Sequence, residues 1–225
     1  MKRPIIAIDG PAAAGKSTAG KALAARLGYR YIDTGALYRA VAWLADREGI
    51  AEAAAGTVGA LARAADIRLE GDPERPRVIV EGRDVGGEIR SERISQLSSR
   101  LSALPEVRAA LLELQRRMGA DGGVVMDGRD IGTVIFPGAD AKFFVFASLD
   151  VRARRRHEEL LAQGVGVSLD QVRAELKTRD IRDAERAHAP LKAAPDAVPI
   201  DTTSLDPEQV IARMLAVIDS RRGAR

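Results

Sequence analysis

Gly10-Pro11-Ala12-Ala13-Ala14-Gly15-Lys16-Ser17 follows the apolar run Ile5-Ile6-Ala7-Ile8 and precedes the helix-forming stretch Thr18–Leu27. The eight residues fit G-x-x-x-x-G-K-[ST], and their flanks supply a strand before the loop and a helix after it, the context the motif needs. Glycines let the backbone curl close to a polyphosphate, successive N–H groups point at its oxygens, and the new helix adds its positive N-terminal end. Lys16 can reach the β- and γ-phosphates, and the Ser17 hydroxyl can ligate Mg²⁺. The bland alternative, a Gly/Ala-rich connection that binds nothing, does not account for the flanks. The motif implies a bound nucleoside triphosphate and leaves open what happens to its γ-phosphate.

Outward from the loop, four more apolar runs read as strands: Tyr29–Ile32, Val124–Met126, Lys142–Ala147 and Val198–Ile200. Helical patterns separate them, at about 16–27, 35–48, 92–118, 150–163, 168–186 and 206–221. Strands alternating with helices predict an α/β fold: a doubly wound, five-stranded parallel sheet. Asp9, Asp33, Asp127 and Asp201 each follow an apolar run, at the carboxyl ends of strands where such sheets bind ligands. Asp is also a common turn and cap residue, and Asp201 is read that way. The long interval 35–122 exceeds a simple crossover. It carries its own hairpin pattern, Ile67–Glu70 and Arg77–Glu81 around Gly71-Asp72-Pro73. The expected division is a core of 1–34 and 123–225 and an inserted subdomain of 35–122.

Composition narrows the class. A chain of 225 residues with 46% hydrophobic and 30% charged content reads as one soluble globular unit. No apolar run approaches membrane-span length, Met1-Lys2-Arg3-Pro4 leads straight into the first strand, and a cytoplasmic location is expected. The absence of cysteine excludes disulfides and thiolate chemistry. Of 35 basic residues, 29 are arginine. Arginine's planar fork suits phosphate, but its abundance makes any single arginine weak support. No [NT]-K-x-D guanine-reading motif is present, and the chain is short for a motor ATPase. A small-molecule phosphotransferase remains. Positions 179, 182, 183 and 186 share one helical face, and spacing alone favours a solvated, ion-paired face there.

Asp33-Thr34-Gly35-Ala36-Leu37-Tyr38-Arg39, Asp127-Gly128-Arg129-Asp130-Ile131-Gly132, Phe136-Pro137 and Lys177-Thr178-Arg179-Asp180-Ile181-Arg182-Asp183, with Ile8-Asp9-Gly10-Pro11, resemble the bacterial cytidylate kinase family in content and order. The insert Val78–Val85 is similar as well, so the likeness runs from about residue 4 to about 220. The resemblance implies a P-loop fold with an inserted nucleoside-monophosphate-binding subdomain and a helical lid within the core at about 150–188. It implies phosphoryl transfer from ATP, with Mg²⁺, to CMP or dCMP.

Carried over by the same resemblance, Gly10, Pro11, Ala12, Ala13, Ala14, Gly15, Lys16, Ser17 and Thr18 hold the ATP phosphates, with Ser17 on the metal. Thr34, Tyr38, Arg39, Ser99, Arg108, Arg129, Asp130, Arg179, Asp183 and Arg186 take the acceptor. Lys16, Arg129, Arg179 and Arg186 act on the transferring phosphoryl group. Ser98 is the alternative to Ser99, since the run Ser95-Gln96-Leu97-Ser98-Ser99 allows a slip of one. Other acceptors (UMP, AMP or shikimate) stay open. A nucleic-acid-binding ATPase is disfavoured by the 4% aromatic content. A monomer that engages neither nucleic acid nor membrane is expected.

Overall fold

The computed structural model describes residues 3–223. Its centre is β1 (Ile5–Asp9), buried along its whole length, as a strand covered on both faces must be. It pairs in parallel with β6 (Val124–Gly128) on one side and β7 (Ala141–Phe146) on the other. Outside these lie β2 (Arg30–Asp33), parallel to β6, and β8 (Val198–Asp201), parallel to β7. The sheet order is β2-β6-β1-β7-β8. All five expected strands are present, with ends moved by one or two residues. Helix α1 (Lys16–Leu27) starts at the loop lysine and stops at Gly28, whose left-handed backbone (φ 62°) turns its N–H onto Ala24 and Ala25.

Helix α2 (Thr34–Arg47) opens the insertion. Asp33 caps it, its carboxylate accepting from Ala36 N at 3.0 Å. The insertion continues through α3 (Ala55–Ala64), β3 (Ile67–Glu70), β4 (Arg77–Val80), β5 (Arg83–Asp84), α4 (Glu92–Leu101) and α5 (Pro105–Gly119). The three short strands form a separate antiparallel sheet, β3-β4-β5. Residues from Leu37, Val58, Val80, Leu97 and Leu111 bury one another in a core distinct from those of the main sheet. Trp43, the single tryptophan, lies at this core's edge between the guanidinium groups of Arg47 and Arg83, its Nε1 donating to Glu88 at 3.0 Å.

Two elements of the insertion were not expected from the sequence. Helix α3 is poor in large side chains and carries Gly56 and Gly59. A Cβ on Gly59 would lie 2.5 Å from Glu106 Cβ, so glycine is what lets α3 and α5 pack closely. The two-residue β5 is too short to show a period. The remaining helices are α6 (Leu149–Ala162), α7 (Leu169–Glu185) and α8 (Pro207–Gly223). No helix among the described residues is long and apolar enough to cross a membrane.

The loop is tied to the sheet by a close approach. Gly10 has φ +147°, and a Cβ there would lie 1.9 Å from the carbonyl oxygen of Val145 on β7. Ala13 also adopts positive φ, 58°, an unusual state for a residue with a side chain. Gly10→Ala should force the loop off β7. The expected result is a loss of about 3 kcal/mol or more in urea unfolding, with loss of ATP binding. An unchanged unfolding midpoint would contradict this packing.

Candidate active site

Lys16 is buried and curls back over its own loop, its Nζ donating to Pro11 O at 2.6 Å. Ser17 Oγ donates to Asp127 Oδ2 at 2.8 Å, linking the loop to the end of β6. Two loop carbonyls are held from outside. Thr202 Oγ1 donates to Ala14 O at 3.0 Å, and Arg152 Nη1 to Ala12 O at 3.4 Å. Arg152 also grips Asp180 on α7 with two bonds, 3.1 and 2.7 Å, while Arg155 donates twice to Thr202. Thus α6, α7 and the end of β8 set the rim of the loop. Thr202 gave no functional signal in the sequence, and Asp180 entered only as a member of the run Lys177–Asp183. The donors of Arg152 are engaged by the protein itself.

Across from the loop, the acceptor side is built on β6 and α2. Thr34 Oγ1 donates to the Asp127 carbonyl at 2.8 Å, so its hydrogen serves the scaffold and its lone pairs face the cleft. Asp33 Oδ2 accepts from Arg39 at 2.7 Å and aims the guanidinium. Arg108 lies over the Tyr38 ring at 5.6 Å and is paired with buried Asp130, which Arg186 approaches at 3.7 Å. Arg129 Nε donates to Asp183 Oδ2 at 2.9 Å. Ser99 Oγ accepts from Arg182 at 2.6 Å, and Arg179 Nη1 reaches Ser95 Oγ at 3.5 Å. The buried Nε of Arg39, Nε of Arg179 and Nη2 of Arg186 have no hydrogen-bond partner in the protein.

These groups line one cleft of about 1290 Å³. That exceeds the roughly 300–1,000 Å³ typical of a single small-ligand site, which leaves room for two nucleotides. Ala12 through Thr18 line it, as do Thr34, Tyr38, Arg39, Ser99, Arg108, Arg129, Asp130, Arg179, Asp183 and Arg186. Ser98 lines it beside Ser99. Gly10 and Pro11 do not, because they form the back of the loop against the sheet.

The cleft's charges are poised for anions. Burial, then Arg129, pulls Lys16 down to about 7, with Asp127 opposing. Burial, then Arg129, lowers Arg179 to about 10. Burial, then Asp33, raises Asp127 to about 6. Burial acts against Asp183 as well, but Arg129 and Arg179 outweigh it and hold its carboxyl below the usual range. A divalent cation has oxygen donors in Ser17 and Asp127, beside the phosphate loop. Among the described residues no group of three His, Asp or Glu could hold an ion alone. The donor set therefore fits Mg²⁺, which keeps waters and completes its shell from substrate phosphates.

The sequence model described as cytidylate kinase matches residues 6–220. The cytidylate kinase of Geobacter sp. (strain M21) is 52% identical over 96% of this chain and 93% of that protein. That of Geobacillus kaustophilus is 48% identical over 99% of this chain and all of its own length. The bifunctional pantoate ligase/cytidylate kinase of Synechococcus sp. (strain JA-3-3Ab) is 44% identical over 99% of this chain, which spans 42% of that longer protein. Among solved structures, a gluconokinase from Sinorhizobium meliloti 1021 superposes with a TM-score of 0.51 at 17% identity, over 97% of this chain and 93% of that one, a likeness of fold.

Asp9 serves the site's shape. Its carboxylate accepts from Ile131 N and Gly132 N, both at 2.8 Å, and so caps the π-turn Ile131–Ile135 that follows Asp130. Burial raises it to about 6 despite those bonds. Between about 4 and 6 the folded chain therefore binds more protons at Asp9 than the unfolded chain. Asp9 makes stability fall as pH rises through that window, by at most about 1.4 kcal/mol per pH unit. Urea midpoints from pH 4 to 7 should fall more steeply for the natural chain than for Asp9→Asn. Parallel curves would show that Asp9 does not titrate in this window.

Proposed function

The chain belongs to the cytidylate kinase family, and we propose that the cleft between its phosphate loop and α4 is where the γ-phosphoryl group of ATP passes in line to CMP or dCMP. The reaction is ATP-dependent phosphorylation of CMP, giving ADP and CDP. The observation that carries the residue assignment is the convergence of Lys16, Arg129 and Arg179: beyond the effect of burial, Arg129 lowers the proton affinity of both Lys16 and Arg179, and Arg179 lowers that of Lys16. Three mutually repelling cations between a phosphate loop and a second pocket need an anion between them.

Phosphoryl transfer calls for positioning and charge neutralisation more than for a covalent catalyst. ATP enters with its phosphates in the loop Gly10–Thr18, and Lys16 exchanges the Pro11 carbonyl for a phosphate oxygen. Mg²⁺, held through Ser17 with Asp127 behind it, supplies charge neutralisation on the phosphates. Arg39 and Arg129 grip the CMP phosphate, with Asp33 and Asp183 fixing their direction. Arg108 and Ser99 suit the cytosine ring, which offers a carbonyl and a ring nitrogen as acceptors and an amino donor. Asp183 has acceptor capacity left for a ribose hydroxyl or that amino group. Arg179 and Arg186 neutralise charge from the lid side.

Water must be kept out, or ATP is hydrolysed. The α6–α7 lid, about 150–188, does this by meeting the insertion 35–122 across the cleft. Arg156 pairs with Glu92 on α4, and Gln96 donates to Glu175 at 3.1 Å. With Arg182 on Ser99, these contacts roof the space between donor and acceptor.

An ADP-release assay with CMP, dCMP, UMP, AMP and shikimate side by side tests the acceptor. Strong turnover with CMP and dCMP is expected, whereas turnover confined to a non-cytidine acceptor would overturn the reading. Arg39→Ala and Arg129→Ala should each raise the KM for CMP at least about tenfold, the scale of one charged hydrogen bond to phosphate. ATP affinity should change little. Unchanged CMP kinetics in both variants would remove those residues from the acceptor site.

A further inference from the structure

Three of the buried polar atoms without partners belong to arginines already placed in the cleft. The hydroxyl of Tyr31 does not, and nothing in the mechanism above uses it. Tyr31 lies on β2, opposite Val125 in the parallel pairing with β6, while Asp33 lies opposite Asp127. Side chains alternate along strands, so Tyr31, Val125 and Asp127 share the face of the sheet that α1 covers. The Tyr31 ring packs into the core under α1, with 8% of the residue exposed.

One feature of α1 makes room for it. A Cβ on Gly20 would sit 2.9 Å from Tyr31 Cε2, closer than real contacts allow. Glycine at this helix position lets the ring lie against the backbone, one turn after Ser17. The hydroxyl then lies close enough to Ser17 and Asp127 to interact with both, although it completes a well-formed hydrogen bond with neither. Burial first, then the nearby Asp127 carboxylate, pushes the phenol well above its ordinary range, so it remains a hydrogen donor at neutral pH. The result is a buried O–H, fixed by packing, behind the carboxylate that faces the phosphate loop.

We propose that Tyr31 is a positioning residue for the metal corner of the site: its hydroxyl donates to Asp127 when the metal–nucleotide complex binds, and holds that carboxylate towards the metal's water shell. The proposal rests on the reading of Ser17 and Asp127 as the metal-facing pair. Groups that orient a metal-facing carboxylate from behind change metal affinity without touching the ion. A buried hydroxyl whose hydrogen bond is incomplete costs stability, and a well-formed bond to Asp127 on binding would recover that cost.

The test is calorimetric titration of ADP into the natural chain, Tyr31→Phe and Ser17→Ala, with and without MgCl₂. Binding requires no turnover, so the readout is independent of activity. Magnesium should tighten ADP binding to the natural chain, and Ser17→Ala should lose most of that gain. In Tyr31→Phe, ADP alone should bind within about twofold of the natural chain, while the gain from magnesium should fall about tenfold. A full magnesium gain in Tyr31→Phe, with Ser17→Ala defective, would overturn the proposal and leave the metal reading intact. A full gain in Ser17→Ala, or none in the natural chain, would overturn both. Equal loss of ADP affinity with and without magnesium in Tyr31→Phe would assign the ring to packing alone and also overturn the proposal.

Discussion

Holding like charges together out of water is the constraint around which this molecule is arranged. Burial, and then the charge of Arg129, lowers the proton affinity of Lys16 and of Arg179, and Arg179 adds to the effect on Lys16. Asp127 and Asp183 counter that repulsion from the end of β6 and from α7. Buried ion pairs repay their desolvation only when geometry and hydrogen bonding are nearly complete. Here they are incomplete: Arg39, Arg179 and Arg186 each keep a buried nitrogen without a hydrogen-bond partner. Those nitrogens are where the phosphates of two nucleotides would complete the network.

The chain topology exists to bring these groups to one line. Strand β6 lies between β1 and β2 in the sheet, yet the chain reaches it only after the whole insertion. Asp127, Gly128, Arg129 and Asp130 thereby emerge beside the phosphate loop from β1 and beside Asp33 and Thr34 from β2. Ligands gather at the carboxyl ends of such strands. The insertion has its own buried core and leans on the site through α2 and α4. Helices α6 and α7 meet α4 through charged and polar pairs, the kind of contact that can be broken and remade at modest cost.

Much of this was legible in the sequence because the informative residues are contiguous. The loop, the run Asp33–Arg39 and the run Asp127–Gly132 each lie on one turn or strand end, so local pattern carries the geometry. The five strands were readable for the same reason, as short apolar runs bounded by polar residues. What stayed hidden depends on partners distant in sequence. Helix α3 forms because Gly59 lets it approach α5, a fact its own weak apolar pattern does not express. Thr202 supports the Ala14 carbonyl across 188 residues, and Asp180 matters through Arg152. The π-turn after Asp130 depends on Asp9, which lies 122 residues before Ile131 in the chain although its strand β1 is β6's neighbour in the sheet. Spacing alone also misjudged the face of Arg179, Arg182, Asp183 and Arg186. It resembles a solvated helix until the cleft is seen to lie against it.

The central claim is that one continuous cation-lined cleft takes both substrates end to end. A single ligand joining adenosine and cytidine through a five-phosphate chain addresses it directly, because linking two bound groups makes the second binding event intramolecular. Calorimetric titration should find this ligand binding at least about a hundredfold more tightly than ATP or CMP alone. Binding no tighter than that of the better single nucleotide would contradict the account, since it would mean that the two phosphate sites do not face each other across Lys16, Arg129 and Arg179.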